Sequence, residues 1–175
     1  MAHPADESSP TPGPASLLRP EHIALIASGI SAIVASRDAR LRPSLMRAVG
    51  TDINADGSRI TVYLNRPAAV QLLADLEAHG HLAVVFSEPS THRTVQVKTR
   101  TVSLRAARPE DREVLRRYLG AMEWQLSQVD IRPEQTRVML DHRFEDVVAV
   151  SFTPEQAYDQ TPGPQAGASL PGTVA

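Results

Sequence analysis

The chain has 175 residues, of which 42% are hydrophobic and 22% charged, and a formal charge of −2. That balance fits one globular domain with a real core and gives no electrostatic basis for binding nucleic acid or an anionic membrane. The absence of cysteine excludes disulfides, thiolate metal sites and cysteine nucleophiles.

Residues 1–17 are rich in Pro, Ser, Ala and acid and are expected to form a flexible N-terminal arm. They hold no hydrophobic signal core, and no apolar run approaches the roughly 18 residues of a membrane helix. A cytoplasmic location without membrane contact is therefore the expectation. Pro20-Glu21-His22 is a helix-start signal. Ser31 to Ser36 reads as a strand and Leu41 to Ile53 as a second, with helix an alternative around Ser44–Val49. Asp56-Gly57 marks a tight turn into a strand at Ile60–Leu64.

Asn65-Arg66-Pro67 then opens a helix reaching about Ala78, with an apolar stripe of Val70, Leu72, Leu73 and Leu76. Gly80 stops it. Leu82 to Phe86 is apolar throughout and reads as a strand buried on both faces. The next strand begins at Arg93. Val95 and Val97 share one parity and Val102 and Leu104 the other, so a bulge or bend is expected near Thr99-Arg100. Pro109-Glu110-Asp111 starts the longest helix, with Leu115, Tyr118, Leu119, Met122 and Leu126 as its stripe. Pro133 to Leu140 reads as a short helix and Val147 to Phe152 as a final strand.

Six strands joined mostly by short turns point to an α+β fold, mainly β with helices: a small antiparallel barrel spanning 18–153. Residues 154–175 would form a C-terminal arm. Its Gln160-Thr161-Pro162-Gly163-Pro164 run is stiff enough to dock on the body or on a partner subunit.

Arg66 lies at a helix start, where free N–H groups and the helix dipole favour a phosphate. Arg47, Arg93 and Lys98 lie on flanking strands, and such bases either grip an anion or stand as solvated surface charges. His79 and His81 flank Gly80, as a helix C-terminal cap or half of a metal site, and no metal site is assigned. Trp124 would pack on its own helix stripe, stack on a flat ligand or enter a subunit interface. No nucleophile-elbow, Walker or dinucleotide-binding motif occurs, so no catalytic residue is assigned.

The run from Ile60 to Lys98 resembles the FMN-binding split-barrel superfamily of pyridoxamine 5′-phosphate oxidase-like proteins. The resemblance rests on a strand ending at Asn65-Arg66, a helix, the strand Val84-Val85-Phe86, and Arg93-Thr94-Val95-Gln96-Val97-Lys98. It extends over about Glu21 to Ser151, and the Gln160 to Gly167 tail is similar to that of small members. It implies a six-stranded antiparallel split barrel, a homodimer, and FMN in the crevice between subunits. It further implies Arg47, Arg66, Arg93, Gln96 and Lys98 as cofactor-binding residues and a flavin-dependent oxidoreductase acting on a small molecule. Two departures stand out. Thr99 replaces a frequent Gly, and the helix start carries one base where a cluster is usual. They leave room for a non-catalytic binding or sensing module holding haem, a deazaflavin or no cofactor. The C-terminal Arg/His segment by which the oxidase grips its vitamin substrate is missing, so vitamin B6 oxidation is not implied.

Overall fold

The computed structural model describes residues 17–173, so the expected N-terminal arm lies almost wholly outside the described residues. Nine strands form two antiparallel sheets. They are β1 (Ser31–Arg37), β2 (Pro43–Arg47), β3 (Gly50–Ile53), β4 (Ile60–Asn65), β5 (Leu82–Ser87), β6 (Thr94–Thr99), β7 (Ser103–Ala106), β8 (Val147–Phe152) and β9 (Gln156–Asp159). The first sheet has the order β2-β1-β5-β6-β9 and the second β3-β4-β8-β7. Four α-helices accompany them: α1 (Pro20–Ala27), α2 (Val70–His79), α3 (Asp111–Ser127) and α4 (Pro133–Met139).

The expected six strands become nine for three local reasons. The run from Leu41 to Ile53 is two strands, β2 and β3, in different sheets. The chain changes sheet at Ala48-Val49, where the Ala48 N–H donates to Ala32 and the Val49 N–H to Tyr63. The parity switch after Val97 has the same cause: β6 ends at Thr99 in the first sheet and β7 begins at Ser103 in the second. Thr99 shapes that corner by accepting from the Thr101 N–H at 3.2 Å and bonding Glu155 at 3.0 Å. The ninth strand, β9, lies in the tail, where Pro and Gly on either side masked a short Gln-Ala-Tyr-Asp alternation.

One core fills the space between the sheets. Ala32, Val34, Val84, Phe86, Val95 and Val97 from the first sheet meet Ile60, Val62, Leu64, Val148 and Val150 from the second. Leu25 and Ile26 of α1 and Leu72, Leu73 and Leu76 of α2 join this core. The other face of the second sheet is covered by α3, through Leu115 against Val49, Tyr63, Val147 and Ala149. Every residue of β8 is therefore buried.

The expectation of two-sided burial for β5 is thus corrected. β5 alternates buried and half-buried positions, because among the described residues no helix packs on the outer face of the first sheet. Val70 is also corrected: it is 67% exposed. Residues Arg66–Ala68 form a 3-10 turn, and α2 starts only at Val70, which moves the buried stripe to Leu72, Leu73 and Leu76. Gly80 ends α2 at φ +68°, as expected of a left-handed cap. Trp124, 61% exposed, does not pack on the stripe of its own helix.

The tail lies against the body. The Leu170 N–H donates to Ala157, and its side chain is 6% exposed within the main core. Leu170→Ala is expected to cost about 2 kcal/mol, the low end for a buried leucine because the site lies at the core's edge. A urea titration would measure it, and an unchanged midpoint would show that the tail contributes nothing to the fold.

Candidate functional site

The uncovered outer face of the five-stranded sheet is organised in rows by strand register. The central row runs Arg47, Ile33, Val85, Gln96, Tyr158. The row below runs Leu45, Ala35, Ala83, Lys98, Gln156. Above lie Ser31, Ser87 and Thr94. The middle of the face is apolar and half-buried, and its margins are polar.

Three of the five sequence-expected cofactor residues, Arg47, Gln96 and Lys98, share this face. The Arg47 guanidinium donates to the Ser31 hydroxyl at 2.6 Å, next to the Ser87–Thr94 hydroxyl pair at 2.8 Å. Together these groups make a cationic, hydroxyl-rich corner. Lys98 lies 4.8 Å from the centre of the Tyr158 ring, and Gln96 meets Gln160 at 3.5 Å. Strands lie about 4.8 Å apart, so Arg47 and Lys98, three strands apart in the sheet order, stand about 14 Å from each other. The Arg47 guanidinium is held at Ser31 in the upper row and Lys98 stands in the lower row, so the two address different parts of a ligand. If one holds an anion, the other reaches a different part of the ligand.

Arg66 and Arg93 stand elsewhere. Arg66 is exposed on the 3-10 turn after β4, a strand of the other sheet. Its side chain makes no hydrogen bond or ion pair among the described residues. Arg93 is exposed in the turn before β6, close enough to depress the protonation of His22. Burial is the main cause of that depression, with the charges of Arg19 and Arg93 adding to it. His22 is 7% exposed and its Nδ1 has no partner.

Tyr118 of α3, 2% exposed, lies close enough to Arg47 to feel its charge. Burial pushes its hydroxyl far above the ordinary phenol range, and the Arg47 charge opposes this. Among the described residues no group of three His, Asp or Glu side chains could hold a metal. The His142 ring is committed to the Leu140 carbonyl at 2.8 Å.

The sequence reading missed Ser31, Ser87 and Tyr158. The two serines carry no signal without the register that aligns them with Thr94. Tyr158 became visible only with β9.

No helix among the described residues is long and apolar enough to cross a membrane. No protein-family model and no curated protein matches the sequence. Solved structures do. A candidate pyridoxamine 5′-phosphate oxidase from Lactobacillus delbrueckii superposes with a TM-score of 0.52 at 15% identity, over 81% of this chain and 93% of that one. HupZ of Group A Streptococcus gives 0.52 at 15%, over 86% of this chain and 99% of that one. An F420 reductase gives 0.50 at 12%, over 77% and 93%. With two packed antiparallel sheets and the same span as these proteins, the chain has the pyridoxamine 5′-phosphate oxidase-like fold.

Proposed function

We propose that this chain is a flavin-binding protein of that fold, a homodimeric FMN-dependent oxidoreductase acting on a small molecule. The observation that carries the reading is the uncovered face of the five-stranded sheet. Its apolar middle, Ile33, Ala35, Ala83 and Val85, offers a half-buried apolar surface to a fused ring system. Its polar margins carry Arg47 at one end and Gln96 and Lys98 at the other. Neither Arg47 nor Lys98 is paired with a carboxylate among the described residues, so both charges are available to a ligand. Two of the structural neighbours are, by name, an oxidase candidate and an F420 reductase, which supports a flavin-type cofactor.

The residues present fit FMN as follows. Arg47 with the Ser31, Ser87 and Thr94 hydroxyls would hold the phosphate. The apolar rows would carry the ring, and Gln96 and Lys98 would meet its polar edge. Arg66, on the turn after a strand of the other sheet, and Arg93, next to Thr94 in the chain but near His22, would contribute from the partner subunit. Bound FMN would supply the hydride chemistry, and the protein the binding and electrostatics. A second copy laid on the half-buried face would give it the cover that helices give the other sheet.

The test is a titration of FMN fluorescence with wild type, Arg47→Gln and Lys98→Gln. Each charge-assisted contact contributes about 1.5–3 kcal/mol, so each variant is expected to bind FMN about 10- to 100-fold more weakly. Wild-type protein that leaves FMN fluorescence unchanged would contradict the reading. Equal affinity in all three would move the cofactor off this face.

A further inference from the structure

At the lower end of the same face, under the β1–β2 hairpin, lies a cavity of about 580 Å³. It is within the size range of sites for small organic ligands. Three cationic side chains line it, Arg37, Lys98 and Arg100, against one carboxylate, Glu155. Glu155 is exposed and already bonds the Thr99 hydroxyl at 3.0 Å.

Among the described residues the three cations have no acidic partners. The single side-chain bond of Arg37 goes to the Asp38 carbonyl at 3.5 Å. Lys98 rests on the Tyr158 ring. The Arg100 side chain has no hydrogen bond or ion pair among the described residues. The chain carries 20 acidic against 18 basic residues, so composition does not explain an unbalanced cluster. Gathering like charges around one hollow is unfavourable, and a bound anion would relieve it.

In the rest of the wall Leu41, Pro43 and Leu82 give an apolar side, beside polar groups that include Ser36, His81 and Gln156. Leu41 has φ +64°, a left-handed conformation that costs a branched residue on the order of 1 kcal/mol or more. The loop enforces it. The Leu41 N–H donates to the Asp38 carbonyl at 3.0 Å, and the Arg40 and Arg42 N–H groups to its carboxylate at 2.8 and 2.9 Å. The result is a leucine held at the cavity rim, 67% exposed. Strain held this firmly at a cavity mouth is a recurrent mark of ligand sites.

We propose that this cavity binds a small organic anion, a phosphate monoester or carboxylate on a compact apolar body, at a site that borders the flavin face and shares Lys98, Ala35 and Ala83 with it. Arg37 and Arg100 grip the anion from two sides, Lys98 adds charge from the floor, and Leu41 covers the apolar part. The site does not require the flavin to be bound.

The experiment is calorimetric titration of the full chain with phenyl phosphate, benzoate, inorganic phosphate and phenol. Phenyl phosphate or benzoate is expected to bind saturably and more tightly than either inorganic phosphate or phenol. Arg100→Gln, at an exposed position, is expected to weaken it about tenfold, and Arg37→Gln with Arg100→Gln further, each with an unchanged melting temperature. The FMN titration run in parallel separates the two sites. Because Lys98, Ala35 and Ala83 belong to both, saturating FMN is expected to weaken phenyl phosphate binding without abolishing it, and failure of FMN to bind leaves the test valid. Complete displacement of phenyl phosphate by FMN would overturn the second site. So would the absence of phenyl phosphate and benzoate binding tighter than about 10 mM, or phenol binding as tightly as the anions.

Discussion

Asp111→Ala is expected to destabilise the protein by about 2–4 kcal/mol, because it strands a half-buried arginine and a buried phenol together. Asp111, 4% exposed at the start of α3, accepts both prongs of Arg105 from β7, at 2.6 and 2.9 Å. It also accepts the Tyr63 hydroxyl from β4 at 2.8 Å and the Arg108 N–H at 2.7 Å. One carboxylate thus ties α3 to two strands of the second sheet. The expected fall in Tm is about 10 °C at this chain length, and thermal unfolding at neutral pH measures it. Asp111→Asn keeps the shape and part of the bonding, so it is expected to cost less.

The same clamp sets an acid limit. The Arg105 hydrogen bonds, followed by the Arg108 N–H and the Tyr63 hydroxyl, hold the Asp111 carboxyl down at about 2, against an ordinary value of 3.8. A group depressed in the folded state contributes stability that is present above its unfolded value and lost as pH falls toward the folded one. Wild-type stability is therefore expected to drop between about pH 4 and pH 2, and Asp111→Asn to lack that part of the drop. Parallel acid profiles for the two proteins would contradict the assignment.

Gly80→Val is expected to cost about 3 kcal/mol or more, from two additive sources. The residue sits at φ +68°, which a β-branched side chain adopts only with strain of about 1–3 kcal/mol. A Cβ there would also lie 2.5 Å from the Arg100 carbonyl oxygen, and backbone cannot step aside as a flexible side chain can. The collision pushes on the corner where the chain passes from β6 to β7. The variant should therefore loosen Arg100 as well as lower the urea midpoint. Gly80→Ala carries the same overlap and a smaller conformational penalty, and is expected to fall between wild type and Gly80→Val. A Gly80→Val protein as stable as wild type would show that the corner is soft.

Much of the fold was legible because its signals are local. Pro20, Gly80 and Pro133 mark helix ends, and the alternation in β1 and the stripe of α3 follow from burial on one side. What was hidden depends on which sheet a strand joins. Nothing in Leu41–Ile53 tells a reader that Ala48-Val49 crosses between sheets. The parity change around Thr99 did announce a bend, but not that β7 would pair with β8. β5 and β8 are both apolar runs, and only the placement of α3 decides that β8 is buried on both faces and β5 on one.

The site was legible in part. Gln96 and Lys98, two apart on one strand, must share a face whatever the fold. Their alignment with Arg47 depends on register across four strands. Arg37 and Arg100 carried no signal, because they converge only through the β1–β2 hairpin and the sheet-changing corner. Arg66 read well as a helix-start anion contact, yet the 3-10 turn around Pro67 delays α2, so it does not stand at the first turn of that helix.

The central claim is that the open face of the five-stranded sheet holds a flavin. Its most direct test is the absorbance spectrum of the purified protein after incubation with FMN and removal of the excess, with mass spectrometry of whatever denaturation releases. Flavin bands retained in proportion to protein, FMN as the released species, and loss of both in Arg47→Gln with Lys98→Gln are expected. A colourless protein that releases nothing, or one that retains FMN equally with and without those two charges, would contradict it.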